Sequence, residues 1–431
     1  MRGASHPKYG LQRLALALPL LLGWSVSAHA EPDGMDLLSA ETLTATADFR
    51  LTAGDGEPSW TIGGFGKTRY GSDGPDLSVK PRFAEANIVW QPRFTWSLSG
   101  TVVGTVQGGK TLEPGLSEAY LNWKPLNGGP VRLSARAGLM WPPVSLEHGG
   151  GEWAVNESIT PSAINSWMGE EVKVVGAELG ASFALGQHKI ALTGALFDMN
   201  DTAGALLAFR GWAVHDRKAM IFRAQPLPPL NSFIVRVQPR YSHPIIEMDG
   251  GYMKRPGYYA KVAWDLPVPV HVEYIHYDNG SNPASFDEYL EWGWRTKFDN
   301  VGLVATVLPE TQLRIQGMSG STLMGYPMPT ARWVDMHFRS GYALLTHYFA
   351  RGSVSGRIET FRTRNRGSTL TSLDDEDGWS AMLAARRNLG PHMTALVEAL
   401  HIESDKAARA RAGLPAQQST TQFQMSLRLR W

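Results

Sequence analysis

The chain has 431 residues, room for two or three small domains, and is almost neutral, with 41 Lys and Arg against 40 Asp and Glu. That balance argues against nucleic acid or anionic lipid as electrostatic partners, and the absence of cysteine excludes disulfides and thiolate metal sites. There are 15 Trp, 13 Tyr and 15 Phe beside 45 Gly, only 19% charged residues and no long helical periodicity; this suits strands bounded by turns, with an array of soluble β-sandwiches as the alternative.

The N-terminus has the layout of a secretory signal over residues 1–30. Arg2, Lys8 and Arg13 form a basic region, Leu14 to Val26 an apolar one, and Ala28-His29-Ala30 a small-x-small cleavage site before Glu31. Its removal leaves 38 basic against 40 acidic residues. The apolar part is too short to span a bilayer, and no later run reaches the roughly 18 apolar residues a membrane helix needs. Export is therefore expected, without a helical span.

Residues 31–59 are acidic and read either as a periplasmic lead-in or as an extra strand at Ala45 to Thr52. Trp60 to Tyr70 is expected to be the first strand, and residues 60–431 the membrane barrel, with Gly63-Gly64-Phe65-Gly66 a close-packing or bend site. Then a unit of strand, tight turn and returning strand recurs. Ala84, Ala86, Ile88 and Trp90 alternate with Glu85, Asn87 and Gln91 before Pro92-Arg93 turns the chain into Trp96 to Val102. The clearest unit runs from Glu118 to Trp141 about Asn127-Gly128-Gly129, a strong hairpin signal, with Trp123 and Trp141 expected as rings at the two membrane interfaces. Further turns fall at Leu185-Gly186, Leu266-Pro267, Leu308-Pro309, Arg351-Gly352 and Leu389-Gly390. Long polar connections lie between them: 142–170, 198–257, 278–288, 317–333, 363–377 and 404–420.

The last strand, Phe423 to Trp431, alternates strictly: Phe423, Met425, Leu427, Leu429 and Trp431 against Gln424, Ser426, Arg428 and Arg430. It resembles the closing strand of Gram-negative outer-membrane barrels, whose final aromatic is the signal read by the barrel-assembly machinery. Seven hairpins plus the strand at Trp60 and this one make sixteen; a hidden hairpin at Ser232 to Val237 would make eighteen. The expected fold is all-β: a transmembrane antiparallel β-barrel with short periplasmic turns and long extracellular loops, embedded in outer-membrane lipid.

No catalytic set is present. Gly317-Met318-Ser319-Gly320-Ser321 fails the nucleophile-elbow pattern at its last position, and His271 and Glu273 share a strand face that His276 does not. No enzyme, metal or cofactor is therefore expected. Chemistry is left to the wet strand faces, where Arg132, Arg136, Arg314, Arg357, Arg386, Arg428 and Arg430 point inward with Lys124 nearby, beside Glu85, Glu118, Glu178, Glu359 and Glu398. Arg–Glu ladders bracing the wall are the preferred reading over an anion filter. Glu147, Glu152 and Trp153 sit on 142–170, the first candidate for a loop that narrows the channel; an outward loop fits equally, and 198–257, with Arg210, Arg217 and Lys218, competes.

Glu118-Ala119-Tyr120, then Arg136-Ala137-Gly138-Leu139-Met140-Trp141-Pro142-Pro143 and Leu146-Glu147, is similar to segments of the phosphate-selective porin O/P-like family within the outer-membrane porin superfamily. The resemblance covers about a tenth of the chain, and the family's phosphate-binding ladder has no residue-by-residue counterpart here. It implies a homotrimeric outer-membrane pore for passive or weakly selective diffusion of small hydrophilic solutes, with anions favoured. A non-conducting barrel that sheathes a partner and a barrel-embedded lipid hydrolase are the alternatives.

Overall fold

The computed structural model describes residues 35–71, 79–125, 129–199, 203–221, 223–229, 234–243, 255–287, 289–329, 332–367, 369 and 375–431. The expected signal over residues 1–30 and the expected Asn127-Gly128 turn fall outside these residues. Sixteen antiparallel strands close into one barrel. They are β1 (Leu43–Gly54), β2 (Lys80–Trp90), β3 (Leu98–Gly108), β4 (Leu112–Trp123), β5 (Val131–Met140), β6 (Val174–Leu185), β7 (His188–Met199) and β8 (Gly257–Asp265). There follow β9 (Val270–Asp278), β10 (Arg295–Leu308), β11 (Thr311–Met324), β12 (Val334–Phe349), β13 (Gly352–Asn365), β14 (Glu376–Asn388), β15 (Met393–Lys406) and β16 (Gln417–Arg430). Closure pairs β1 with β16, Asp48 opposite Arg428 and Leu51 opposite Met425. The closed order leaves no first or last strand to present a free edge to the bilayer.

The six expected short turns that lie among the described residues are all at one end of the barrel, which we call the lower end. The described residues of the long connections 55–79, 141–173, 200–256 and 279–294 belong to the upper end, together with one short turn at 109–111.

The strand count matches expectation, but its first member does not. Trp60–Ile62 is one turn of 3-10 helix inside the first long loop, capped by the Ser59 side chain, and the barrel begins at Leu43 rather than Trp60. The glycines there serve close packing, since a Cβ on Gly64 would lie 1.9 Å from the Pro58 carbonyl oxygen. No additional barrel strand appears among the described residues of 200–256, where Ile234–Arg236 is another 3-10 turn.

Polarity reverses along the longer strands. On β12, Leu345 faces out and Thr346 in near the lower end; higher up His337 and Arg339 face out while Met336 and Phe338 are buried inside. β13 repeats this with Ile358 outside and Ser355 inside, then Arg362 outside and Phe361 inside. β15 does the same with Val397 and Glu398, then Glu403 and Ile402. The lower segments form the lipid belt, with Phe49, Leu121, Leu179, Ile358, Leu383 and Phe423 among its exposed residues. The upper segments rise beyond it as a water-facing collar with an apolar inside. Residues 317–324, expected as loop, are the collar part of β11, where Ser319 faces out and Met318 in.

Trp123 and Trp264 ring the lower edge of the belt, exposed at 41% and 39%. Trp141, expected at the opposite edge, is instead 2% exposed inside the barrel. The strand ends before it, at Met140, just past Gly138, whose φ of 138° brings β5 so close to β4 that a Cβ would lie 2.2 Å from the Ala119 carbonyl oxygen. The chain then dives into the lumen.

Candidate functional site

The upper lumen is filled by the loops. In 141–173, helix α1 (Ala163–Glu171) is buried along its whole length, started by Ser162, whose side chain accepts from the Asn165 amide. In 200–256, residues 203–221 are almost all buried and include the short helix α2 (Ala205–Phe209). Trp167 of α1 sits edge-on to Phe338 at 5.1 Å, Phe298 at 5.7 Å and Trp212 at 6.0 Å, joining both loops to the collar.

Wall carboxylates hold this plug by its backbone. Glu398 accepts from the Ile159 and Thr160 amides at 2.7 and 2.9 Å, and Glu359 from the Ala163 amide at 2.6 Å. Glu376 accepts from the Trp212 amide at 2.9 Å and pairs with Lys67 of the first loop. Arg357, wholly buried, donates to Glu147 at 2.9 Å and to the Thr160 and Pro161 carbonyls at 2.8 and 3.0 Å. Glu147 also accepts from the Ser162 amide and hydroxyl and from the Asn165 amide group. Each buried charge thereby meets fixed donors or an opposite charge, which the low dielectric requires.

Two neighbouring acids of α1 have opposite surroundings. Burial pushes Glu170 up, but Arg210 and His215 outweigh it and hold it at about 2. Burial, with the Glu170 charge beside it, pushes Glu171 up to about 7, although it accepts from Trp167 Nε1 and the Gly204 and Leu206 amides.

The lower lumen is different. A chamber of about 390 Å³ lies between the strands β1, β2 and β14 to β16 and the undersides of both inward loops. Arg50 pairs with Asp48 at 2.7 Å and Asp216 at 2.6 Å, and Lys218 with Glu85 at 3.0 Å. Burial would raise Asp216, yet Arg50 and Arg69 beside it hold it far below the usual carboxylate range. His148, Trp153 and Trp141 stack face to face at its roof, with ring separations of 3.6 and 4.2 Å.

The expected site residues divide between these regions. Arg386, Arg428, Arg430, Glu152 and Trp153 line the chamber. Arg428 donates to the Val155 and Ser158 carbonyls and lies 3.4 Å from Asp48, while Arg430 stays 3.9 Å from Glu152. Arg357 and Glu147 belong to the plug. Arg136 forms a two-pronged pair with Glu178 at 2.7 Å, and Arg314 meets Glu157 at 3.2 Å. Arg132 is exposed on lower β5, and Lys124 is exposed in the turn after β4. The first candidate, 142–170, and residues 203–221 of its competitor 198–257 both fold inward. Asp48, Arg50 and Asp216 were not singled out; the alternating Asp48 and Arg50 beside apolar Phe49 and Leu51 were the available signal. His276 turns outward to Asp299 at 2.8 Å, away from His271 and Glu273.

No protein-family model and no curated protein matches the chain in sequence. Solved structures do match it in shape. The outer-membrane channel DcaP of Acinetobacter baumannii aligns with a TM-score of 0.55 at 9% identity, over 91% of this chain and 99% of that one. The anion-selective porin from Comamonas acidovorans aligns with a TM-score of 0.50 at 10% identity, over 90% and 99%. At such identity the likeness speaks for the fold alone, and with the apolar belt it makes this chain an outer-membrane barrel of porin-like fold.

Proposed function

We propose that the protein is an outer-membrane pore for passive, weakly selective diffusion of small hydrophilic solutes, with a bias toward anions. The observation that carries this reading is the charged chamber inside a closed sixteen-strand barrel, since a lumen meant only to be packed has no use for Arg386 standing without an acidic partner among the described residues. Export through residues 1–30, recognition of Phe423 to Trp431 by the assembly machinery and a homotrimeric state complete the reading.

The finer assignment, phosphate selectivity, draws less support. The segment that resembles phosphate-selective porins supplies Gly138, where the chain closes on β4, and Glu147, an anchor of the plug. These residues serve the inward loop rather than a phosphate ladder.

A second reading has its own observation. The plug fills the collar so fully that a barrel closed at rest, opened by loop movement or holding a partner, is also a coherent design. Single-channel recording of the refolded full chain in planar bilayers, with reversal potential under a KCl gradient, separates the two. Stepwise currents with anion preference support the resting pore; a folded barrel that stays silent sinks it and favours the closed one.

A further inference from the structure

The chamber holds charges of both signs. Its cations outnumber its carboxylates by only five to four, so it is no simple anion trap. Arg386 and Arg430 stand on β14 and β16, Arg386 with no acidic partner among the described residues and Arg430 with only the 3.9 Å approach to Glu152. Glu85 and Glu152 stand on β2 and the inward loop; Glu85 pairs with Lys218 through one oxygen, and each has its other oxygen without a hydrogen-bond partner. A lone anion drawn to the arginines shares the space with these carboxylates, and a lone amine meets the arginines. A small molecule carrying both charges answers both signs at once, and the volume of about 390 Å³ admits one with its water.

We propose that the chamber binds small dipolar ions of the α-amino-acid class, with the carboxylate on Arg386 and Arg430 and the ammonium toward Glu85 and Glu152. As a statement about the transported solute this rests on the pore reading; the binding itself requires no conduction.

The test uses the full chain refolded in detergent, with L-threonine, butyrate and inorganic phosphate each titrated by calorimetry. The same solutes are then added to any open channel in planar bilayers. Threonine is expected to bind at least about ten-fold more tightly than butyrate or phosphate and to interrupt the current where there is one. Arg386→Gln and Glu152→Gln are each expected to weaken threonine about ten-fold, with barrel folding checked by heat-shifted gel migration. Glu152→Gln, on a loop, keeps the test valid if the wall variant fails to fold. Equal binding of butyrate or phosphate would make this a plain anion site and overturn the inference, as would no binding at all. Conductance without threonine binding removes this inference and leaves the pore; threonine binding without conductance removes the pore and leaves the chamber.

Discussion

In the collar, the wall turns Phe298, Phe338, Phe361 and Ile402 inward onto protein; in the belt, the same strands turn Asn300, Thr346, Ser355 and Glu398 inward. The outer faces change in the opposite sense, from Arg339, Arg362 and Glu403 to Leu345, Ile358 and Val397. The solvent outside each segment decides both faces. Where lipid lies outside, apolar residues belong there and polar ones are left to the lumen; where water lies outside, the strand needs an apolar core within, and only loops can provide it. The plug is thus demanded by the collar, while the belt leaves room for charges and a chamber.

The comparison breaks most visibly if the two regions are uncoupled. Arg357→Ala leaves Glu147 and Glu359 buried without their cation and is expected to cost about 3–5 kcal/mol. The loss falls on the plug, so limited proteolysis within 158–173 should accelerate while the barrel keeps its heat-shifted gel migration. If the whole barrel melts instead, plug and wall form one cooperative unit. Ile402→Ala removes apolar packing from the collar core and should cost about 2–4 kcal/mol, again read by protease access to the loops.

Acidity should tune the same contrast more gently. Glu171 sits at about 7 in the packed plug against an ordinary 4.5, so the packed state holds the extra proton. Its stabilising effect is complete below about pH 4.5 and is lost as pH rises through about 7. Channel opening or loop proteolysis should therefore increase by more than about ten-fold from pH 5 to pH 8, and Glu171→Gln should flatten the profile. A profile unchanged by that substitution would acquit Glu171. The smallest effect belongs to Arg132→Ala, an exposed residue with no acidic partner among the described residues: stability within about 0.5 kcal/mol of the parent, and a slight shift of reversal potential toward cations.

Period-two alternation made the barrel wall legible, because in the belt one face meets lipid and the other water along the whole strand. The six described lower turns could be read for that reason. Two kinds of feature escaped. Collar strands such as Gly317 to Met324 invert their polarity, with Ser319 outside and Met318 inside, so the segment suggested loop. The strand at Trp60 looked amphipathic because Trp60 packs into the lumen core, beneath Arg210 at 4.4 Å, and not because it pairs with a neighbour. The site was half visible: wall arginines follow from alternation, but whether one is locked, like Arg357, or left at a chamber, like Arg386, depends on loops whose path no periodicity encodes.

The seam between β1 and β16 carries a consequence for the order of assembly. Asp48 and Arg428 are 380 residues apart, so this junction is among the last contacts that chain diffusion can bring together. A cylinder sealed before its contents are seated would have to pass Trp167, Trp212 and their helices through a narrow mouth. Packing first and zipping afterwards avoids that obstacle, with the aromatic terminus as the tab that is pulled last.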